Sequence, residues 1–396
     1  MSPQVVTVRV QPEILTWART GSGVDIDDAA RSIHVEEGEM QRWEQVESDI
    51  SVPRLRGLAN LYKRPLAIFF LASPPDEPPL PEDFRTLPPE DGKDGSIEYS
   101  KKTLLAIRRA TRIQELSAGL WEELGYDAPP RIKGVNLNVP PEALARTLRE
   151  ELGISVEEQR KWKDDNVALE KWKSAIEAKG VLVLEQKMNI KEARGFSLFG
   201  DGNKSPVIVI SYGDAMCAKI FSLFHEYAHL VLSESGIQSI HGRQLRFDAR
   251  VGAIEKFCNR FAAAFLVPKD DLLREPLVRN NLPNKIWSND VLAALGKLYK
   301  VSRETILRRL LTFDLTTESH YRQMRQEWGQ TPKKEQKGGR RNMPKEAFRE
   351  NGATFSSLVL EGSSRGKLTY SEVADFLQVK LTYLPKLSEM VRGSLP

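Results

Sequence analysis

The chain has 396 residues, 40% of them hydrophobic and 28% charged, which is too long for one ordinary domain and too apolar for a disordered or fibrous chain, so two to four domains are expected. A formal net charge of +4 permits a nucleic-acid surface without demanding one. The two cysteines, Cys217 and Cys258, form no disulfide framework; with no 18-residue apolar run and no basic-then-apolar leader, the expectation is a cytoplasmic protein without a membrane span.

Residues 10–75 are predicted as four short helices. Pro12 opens one over Glu13–Arg19, and Gly21-Ser22-Gly23 breaks it. A second runs from Asp25, a plausible N-cap, to Ile33, with Ile26, Ala29, Ala30 and Ile33 on one face. His34-Val35 turns the chain into a third helix, Glu36–Gln45, and Pro53 opens a fourth that ends at Tyr62. Ala29, Val35, Trp43-Glu44 and Leu58-Ala59 are the points at which residues 1–75 resemble a helix-turn-helix domain of the XRE (Cro/repressor) type. Such a domain implies DNA as a partner. Glu36, Glu37 and Glu39 would face the phosphates from the helix that reads the groove, and those charges repel. A protein partner is the other reading.

Residues 76–99 are rich in proline and acid and read as an extended linker. A helical region follows over 100–180: a first helix to Leu124 ended by Gly125, then helices over Pro140–Leu152 and Val156–Lys179, with Trp162 and Trp172 as packing residues. Val181–Glu185, Phe196–Phe199 and Val207–Ser211 read as strands of a small sheet, the last two joined by the turn Gly200-Asp201-Gly202-Asn203.

The strongest signal comes next. His225-Glu226-Tyr227-Ala228-His229 lies inside the apolar run Ile220–Leu232. On a helix the two histidines fall on one face a turn apart, where two imidazoles can grip one zinc ion. Glu226 stands beside them, placed to take a proton from a water that the metal acidifies. A hydrolytic zinc site usually has three protein ligands, and the downstream candidates are Glu234, His241, Asp248 and Glu255. Glu255 is favoured because it opens an amphipathic helix ending at Pro268, whose Ala262, Ala263 and Ala264 allow close helix approach. Asn259, one turn on, is expected to steady that carboxylate. Oxyanion donors are not singled out; Tyr212, His241, Arg243 and Arg246 are the candidates.

Three separated elements carry a resemblance: Gly195-Phe196-Ser197 with Pro206–Ile210, Lys219–His229, and Glu255 with Asn259–Ala263 and Pro268. Together they resemble the ImmA/IrrE family of metallo-endopeptidases. The departures are Tyr227-Ala228 inside the motif, Phe257 where a second acid is usual, and Lys219 where arginine is usual. The resemblance implies a gluzincin-like core over residues 181–284, with His225, His229 and Glu255 as metal ligands and Glu226 as general base. It implies zinc, with manganese as the other candidate metal. It also implies an edge strand, Phe196–Phe199 or Val207–Ser211, that pairs with extended substrate. The substrate it implies is a helix-turn-helix repressor or an antitoxin-like partner, cleaved in a stress or induction response.

Asp290–Phe313, within a segment 285–328, resembles a second helix-turn-helix, with Arg303, Arg308 and Arg309 as a basic face. Residues 329–345 read as a flexible basic linker, with seven basic residues from 329 through Arg349. Residues 346–396 read as a small unit with helices over Ser371–Leu377 and Leu381–Val391. The expected fold is therefore α+β, mostly helical and multi-domain, with the peptidase core between helix-turn-helix-like segments. Two rivals stand beside it: a non-catalytic DNA-binding regulator with a structural metal site, and a redox switch built on Cys217 and Cys258.

Overall fold

The computed structural model describes residues 6–75, 99–127, 130, 132, 134–200, 202–232, 249–282, 285–330 and 342–394. The described residues are mostly helical with two small sheets, an α+β fold. Residues 76–98 of the expected linker, the sites Glu234, His241, Arg243, Arg246 and Asp248, and residues 331–341 lie outside the described residues.

The N-terminal unit has its own core. Its elements are β1 (Thr7–Val10), α1 (Pro12–Thr20), α2 (Ile26–Ser32), α3 (Glu37–Trp43), β2 (Ser48–Ser51) and α4 (Val52–Tyr62). Apolar positions read from helical spacing, among them Ala29, Ala30, Ile33, Leu58 and Ala59, meet in that core with Met40, Trp43 and Tyr62. Gly57 lets α4 pack on α2, since a Cβ there would lie 2.8 Å from Ile33 Cγ2. Arg19 ties α1 to the end of α3 through Glu44 at 2.7 Å. The all-helical expectation is corrected by an antiparallel ribbon in which Val8 pairs with Ile50 and Val10 with Ser48. Strands of four residues carry too short an alternation to register, and their pairing spans the whole unit. Asp25 does occupy the N-cap of α2, but its side chain makes no capping hydrogen bond.

The rest of the described chain is built on both faces of a second sheet. Four helices lead into it: α5 (Lys101–Glu123), α6 (Pro141–Glu151), α7 (Val156–Lys161) and α8 (Asp165–Glu177). The single helix expected over Val156–Lys179 is thus two. The chain is extended at Trp162, and the Asp164 carboxylate accepts from the Asn166 and Val167 N–H groups to cap a new helix. The strands are β3 (Leu182–Gln186), β4 (Gly195–Leu198) and β5 (Val207–Ser211), in the order β3-β5-β4. β5 runs parallel to β3 (Val183 opposite Ile208) and antiparallel to β4 (Phe196 opposite Val209).

Helices cover both faces of this sheet, so apolar residues on β3 and β5 point to both sides rather than alternating with polar ones. Val181, Val183, Ile208 and Ile210 face one core, shared with α8, α9 (Met216–Leu232) and α10 (Ala249–Leu266). Further helices extend that side: α11 (Lys269–Arg274), α12 (Pro276–Arg279), α13 (Asn289–Tyr299), α14 (Arg303–Thr312) and α15 (Glu318–Gln330). Leu182, Leu184, Phe196, Val207 and Val209 face the opposite core, shared with α5 and the C-terminal helices. Those are α16 (Met343–Asn351), α17 (Ala353–Ser364), α18 (Tyr370–Leu377) and α19 (Leu384–Ser394).

Two expectations change here. Residues 346–396 are not a separate small unit but the cover of one sheet face. Of the expected basic linker, Gly329 and Gln330 close α15, and Asn342 caps an α16 that begins at Met343. The basic face expected on Asp290–Phe313 also loses a member. Arg309 is 1% exposed, donates to the Val267 carbonyl at 2.8 Å and pairs with Glu142, so it clamps α14 onto α10 and α6.

Candidate metal centre

Helix α9 is apolar over most of its length, yet His225, Glu226 and His229 on it are all buried. The neighbouring helix keeps them in place. Phe224 stacks on Phe265 at 4.1 Å between ring centroids, and Trp172 of α8 packs edge-on against both rings. Ala262, Ala263 and Ala264 are fully or almost fully buried where α10 meets its neighbours. Glu255 comes from α10 but does not open that helix, which starts six residues earlier at Ala249. A helix-start carboxylate held only by the dipole is therefore not the role of Glu255.

Three donor groups converge. His225 Nε2 and His229 Nε2 lie 3.1 Å apart. The Glu255 carboxylate reaches both, Oε2 at 3.3 Å from His225 and Oε1 at 3.2 Å from His229. A four-coordinate zinc with ligand bonds of about 2.0–2.1 Å holds neighbouring ligand atoms roughly 3.3 Å apart. The donor set, its spacing and its burial therefore fit such an ion, and this is the one cluster of its kind among the described residues. Burial opposes charge on Glu255, but hydrogen bonds and charge from His225 and His229 hold its carboxyl well below the ordinary range.

Glu226 sits on the sheet side of the pair. Ser197 of β4 donates to Glu226 Oε2 at 3.3 Å. A Cβ at Gly195 would lie 3.1 Å from Glu226 Cγ and Oε1 and 3.0 Å from the Val209 carbonyl. Glycine at 195 thus leaves the room in which this carboxylate stands. Spacing in the sequence reveals neither neighbour, because the strand–helix approach is tertiary.

Behind the site lies a second buried group that sequence reading missed. Glu185 on β3 accepts from Lys219 of α9 at 2.9 Å and from Lys173 of α8 at 3.1 Å. All three are 3% exposed or less. Desolvation acts against charge on Glu185, yet the two ammonium groups hold its carboxyl down at about 2. The Lys219 ammonium thereby ties α9 to the sheet.

Other expected members stand elsewhere. The Asn259 amide donates to the Glu255 backbone carbonyl at 2.8 Å, so it closes its own helix turn rather than steadying the carboxylate. Tyr212 follows β5, with the Lys219 ammonium 5.0 Å from its ring and Lys187 and Arg349 nearby. Cys258 is fully buried beside His229, and burial raises its thiol. Cys217 bonds Asp165 at 3.2 Å, and burial with that carboxylate pushes it up to about 12. Neither cysteine has the lowered pKa of a reactive thiol.

Residues 176–311 match the model of the IrrE N-terminal-like domain, Peptidase_M78. No curated protein and no solved structure matches the chain. The Peptidase_M78 segment starts at the end of α8 and stops within α14, so it holds the whole sheet, the metal cluster and the helix pair α13–α14. It points to a metallopeptidase, and the His225, His229 and Glu255 cluster is compatible with the metal that such an enzyme needs.

Proposed function

We propose that the chain is a zinc-dependent endopeptidase of the cytoplasm, with manganese as the alternative metal. Its substrate would be a helix-turn-helix repressor or an antitoxin-like protein, cut in a stress or induction response. The observation that carries this reading is the meeting of two imidazole Nε2 atoms and one carboxylate at 3.1–3.3 Å.

His225, His229 and Glu255 would hold the ion, which when bound supplies Lewis acidity to a water and to the scissile carbonyl. Glu226 takes the proton of the attacking water and passes it to the leaving amine. Ser197 and the gap at Gly195 set the position of that carboxylate. Of the two strands expected to pair with substrate, β5 is paired on both sides within the described sheet, which leaves β4 as the strand proposed for that role.

The N-terminal unit is proposed to take protein rather than DNA. Residues 1–75 carry ten carboxylates against eight lysines and arginines. Glu36 and Glu37 are exposed at the start of α3, and Glu39 is answered by Arg54 at 3.2 Å. Phosphate binding at that face would meet repulsion. A salt-sensitive gel shift that maps to residues 1–75 would overturn this assignment.

The first test is metal content per chain. Protein purified without added metal should hold about one zinc or manganese, and both His225→Ala and Glu255→Ala should lose it. A parent chain that stays metal-free after zinc is supplied would sink the proposal.

A further inference from the structure

The strand that borders Glu226 is short. β4 has four residues, and Gly195 and Ser197, two apart and so on one face of it, are the ones that meet the Glu226 carboxylate. That contact is light. The Ser197 hydroxyl donates at 3.3 Å, a long bond for an O–H donor, and at Gly195 the carboxylate has only the room that a missing Cβ leaves. The direction of Glu226 therefore depends on how firmly β4 is held relative to α9.

The loop between β3 and β4 is tied in two directions just before it enters β4. Glu192 ties it to the start of α5, accepting from the Ser100 N–H at 3.0 Å, the Ser100 hydroxyl at 2.8 Å and the Thr103 hydroxyl at 2.6 Å. Arg194, the residue before Gly195, ties it to the turn that leads from β5 into α9. The Arg194 carbonyl accepts from the Ser211 N–H at 2.9 Å, and its Nη1 donates to both oxygens of Asp214, at 3.1 and 2.8 Å. Asp214 is 8% exposed and is fixed in its turn. Its Oδ1 accepts from the Ala215 N–H at 2.9 Å, and its own N–H donates to the Ser211 carbonyl at 3.3 Å. Helix α9, which carries Glu226, starts two residues later at Met216.

Charge-assisted hydrogen bonds are short, directional and stronger than neutral ones, and with one partner buried they are screened less than a surface pair. We infer that Arg194 and Asp214 are positioning residues for the Glu226 base. Their ion pair locks the start of β4 to the start of α9, and so keeps Gly195 and Ser197 against the carboxylate. Both residues act through β4. The consequence for rate rests on the peptidase reading; the consequence for the strand does not.

The test takes two readouts on the full chain supplied with zinc: amide hydrogen exchange, and steady-state cleavage of a peptide that the parent selects from a quenched-fluorescence library. Arg194→Ala and Asp214→Asn should each speed exchange at residues 195–198 about tenfold, while α10 amides exchange as in the parent. Each should lower kcat about tenfold, with KM and metal content at parent values. The double variant should be no worse than either single one, because both remove the same interaction. Arg194→Lys, which keeps a cation for Asp214, should recover most of the rate. Lys187→Ala breaks the exposed pairs with Glu346 and Glu350 on the same loop and should match the parent. Parent-like exchange at residues 195–198 in both single variants would overturn the inference. So would faster exchange with parent-like kcat, losses that add in the double variant, or an equal loss in Lys187→Ala. A parent that cleaves no library peptide would count against the peptidase reading instead, and the exchange comparison would still decide whether the pair holds β4.

Discussion

At the scale of single residues, the site depends on groups that sequence spacing names and on one that it does not. Glu226 is the proposed base, and a general base contributes about 10²–10⁴-fold to a rate. Glu226→Gln should therefore cut cleavage by that order while leaving metal content at the parent level, read by single-turnover proteolysis beside elemental analysis. Metal loss in that variant would refute the base assignment. Gly195 is the silent partner. Its missing Cβ is the space beside Glu226 Cγ and Oε1. In Gly195→Ala the Glu226 carboxylate or β4 must shift by a few tenths of an ångström. Small displacements of reacting groups are costly, so about a tenfold loss of kcat with metal retained is expected. Unchanged kcat would show that this wall gives way freely.

At the scale of elements, the question is what holds α9 against the sheet and α10. The first tie is apolar: Phe224 stacked on Phe265, with Trp172 edge-on to both. Phe224→Ala should cost about 3–5 kcal/mol in chemical denaturation, as for other buried aromatics. The second tie is ionic: Glu185 between Lys173 and Lys219. Removing the carboxylate takes the anion from between two buried ammonium groups and leaves Lys173 with the more exposed Glu170 at 3.5 Å, so Glu185→Gln should cost about 3–5 kcal/mol. The pH dependence has a definite sign. The folded-state carboxyl is held at about 2, below its ordinary value of 4.5. Its contribution is therefore fully present above about 4.5 and is lost as pH falls from there toward about 2. Denaturation midpoints of Glu185→Gln and the parent should converge over that window; a constant gap down to pH 2 would contradict the assignment.

At the scale of the whole molecule, the C-terminal helices complete the domain that carries the metal cluster. They bury Leu182, Leu184, Val207 and Val209, the sheet face turned away from α9. Gly352, at the junction of α16 and α17, has φ +73° and approaches the strand so closely that a Cβ would sit 2.6 Å from the Val183 carbonyl. Glu177 at the end of α8 accepts from the Thr354 N–H at 3.3 Å, at the start of α17. Ending the chain after residue 341 should uncover an apolar sheet face and yield aggregated protein. Gly352→Ala, strained in both backbone and packing, should destabilise by more than about 1 kcal/mol in thermal unfolding. A soluble, metal-binding truncation would show that the sheet needs only one covering layer.

Much of this organisation was legible because it is local. Helical spacing marked the buried faces of the N-terminal unit, short apolar runs marked β3 and β5, and the two histidines share a face through the 3.6-residue turn alone. Glu255 was legible as a donor, though not its place within α10, where a turn and a half of helix precedes it. Tertiary structure decided what depends on approach between distant segments. It set β5 between β3 and β4, turned Asn259 onto the Glu255 carbonyl, buried Arg309 as a clamp, and placed Ser197 and Gly195 beside Glu226. It also set Lys219 and Glu185 together and brought residues 343–394 onto the sheet. Local periodicity records which face of an element is apolar; which neighbour covers that face is settled only when every element competes for the same buried surface.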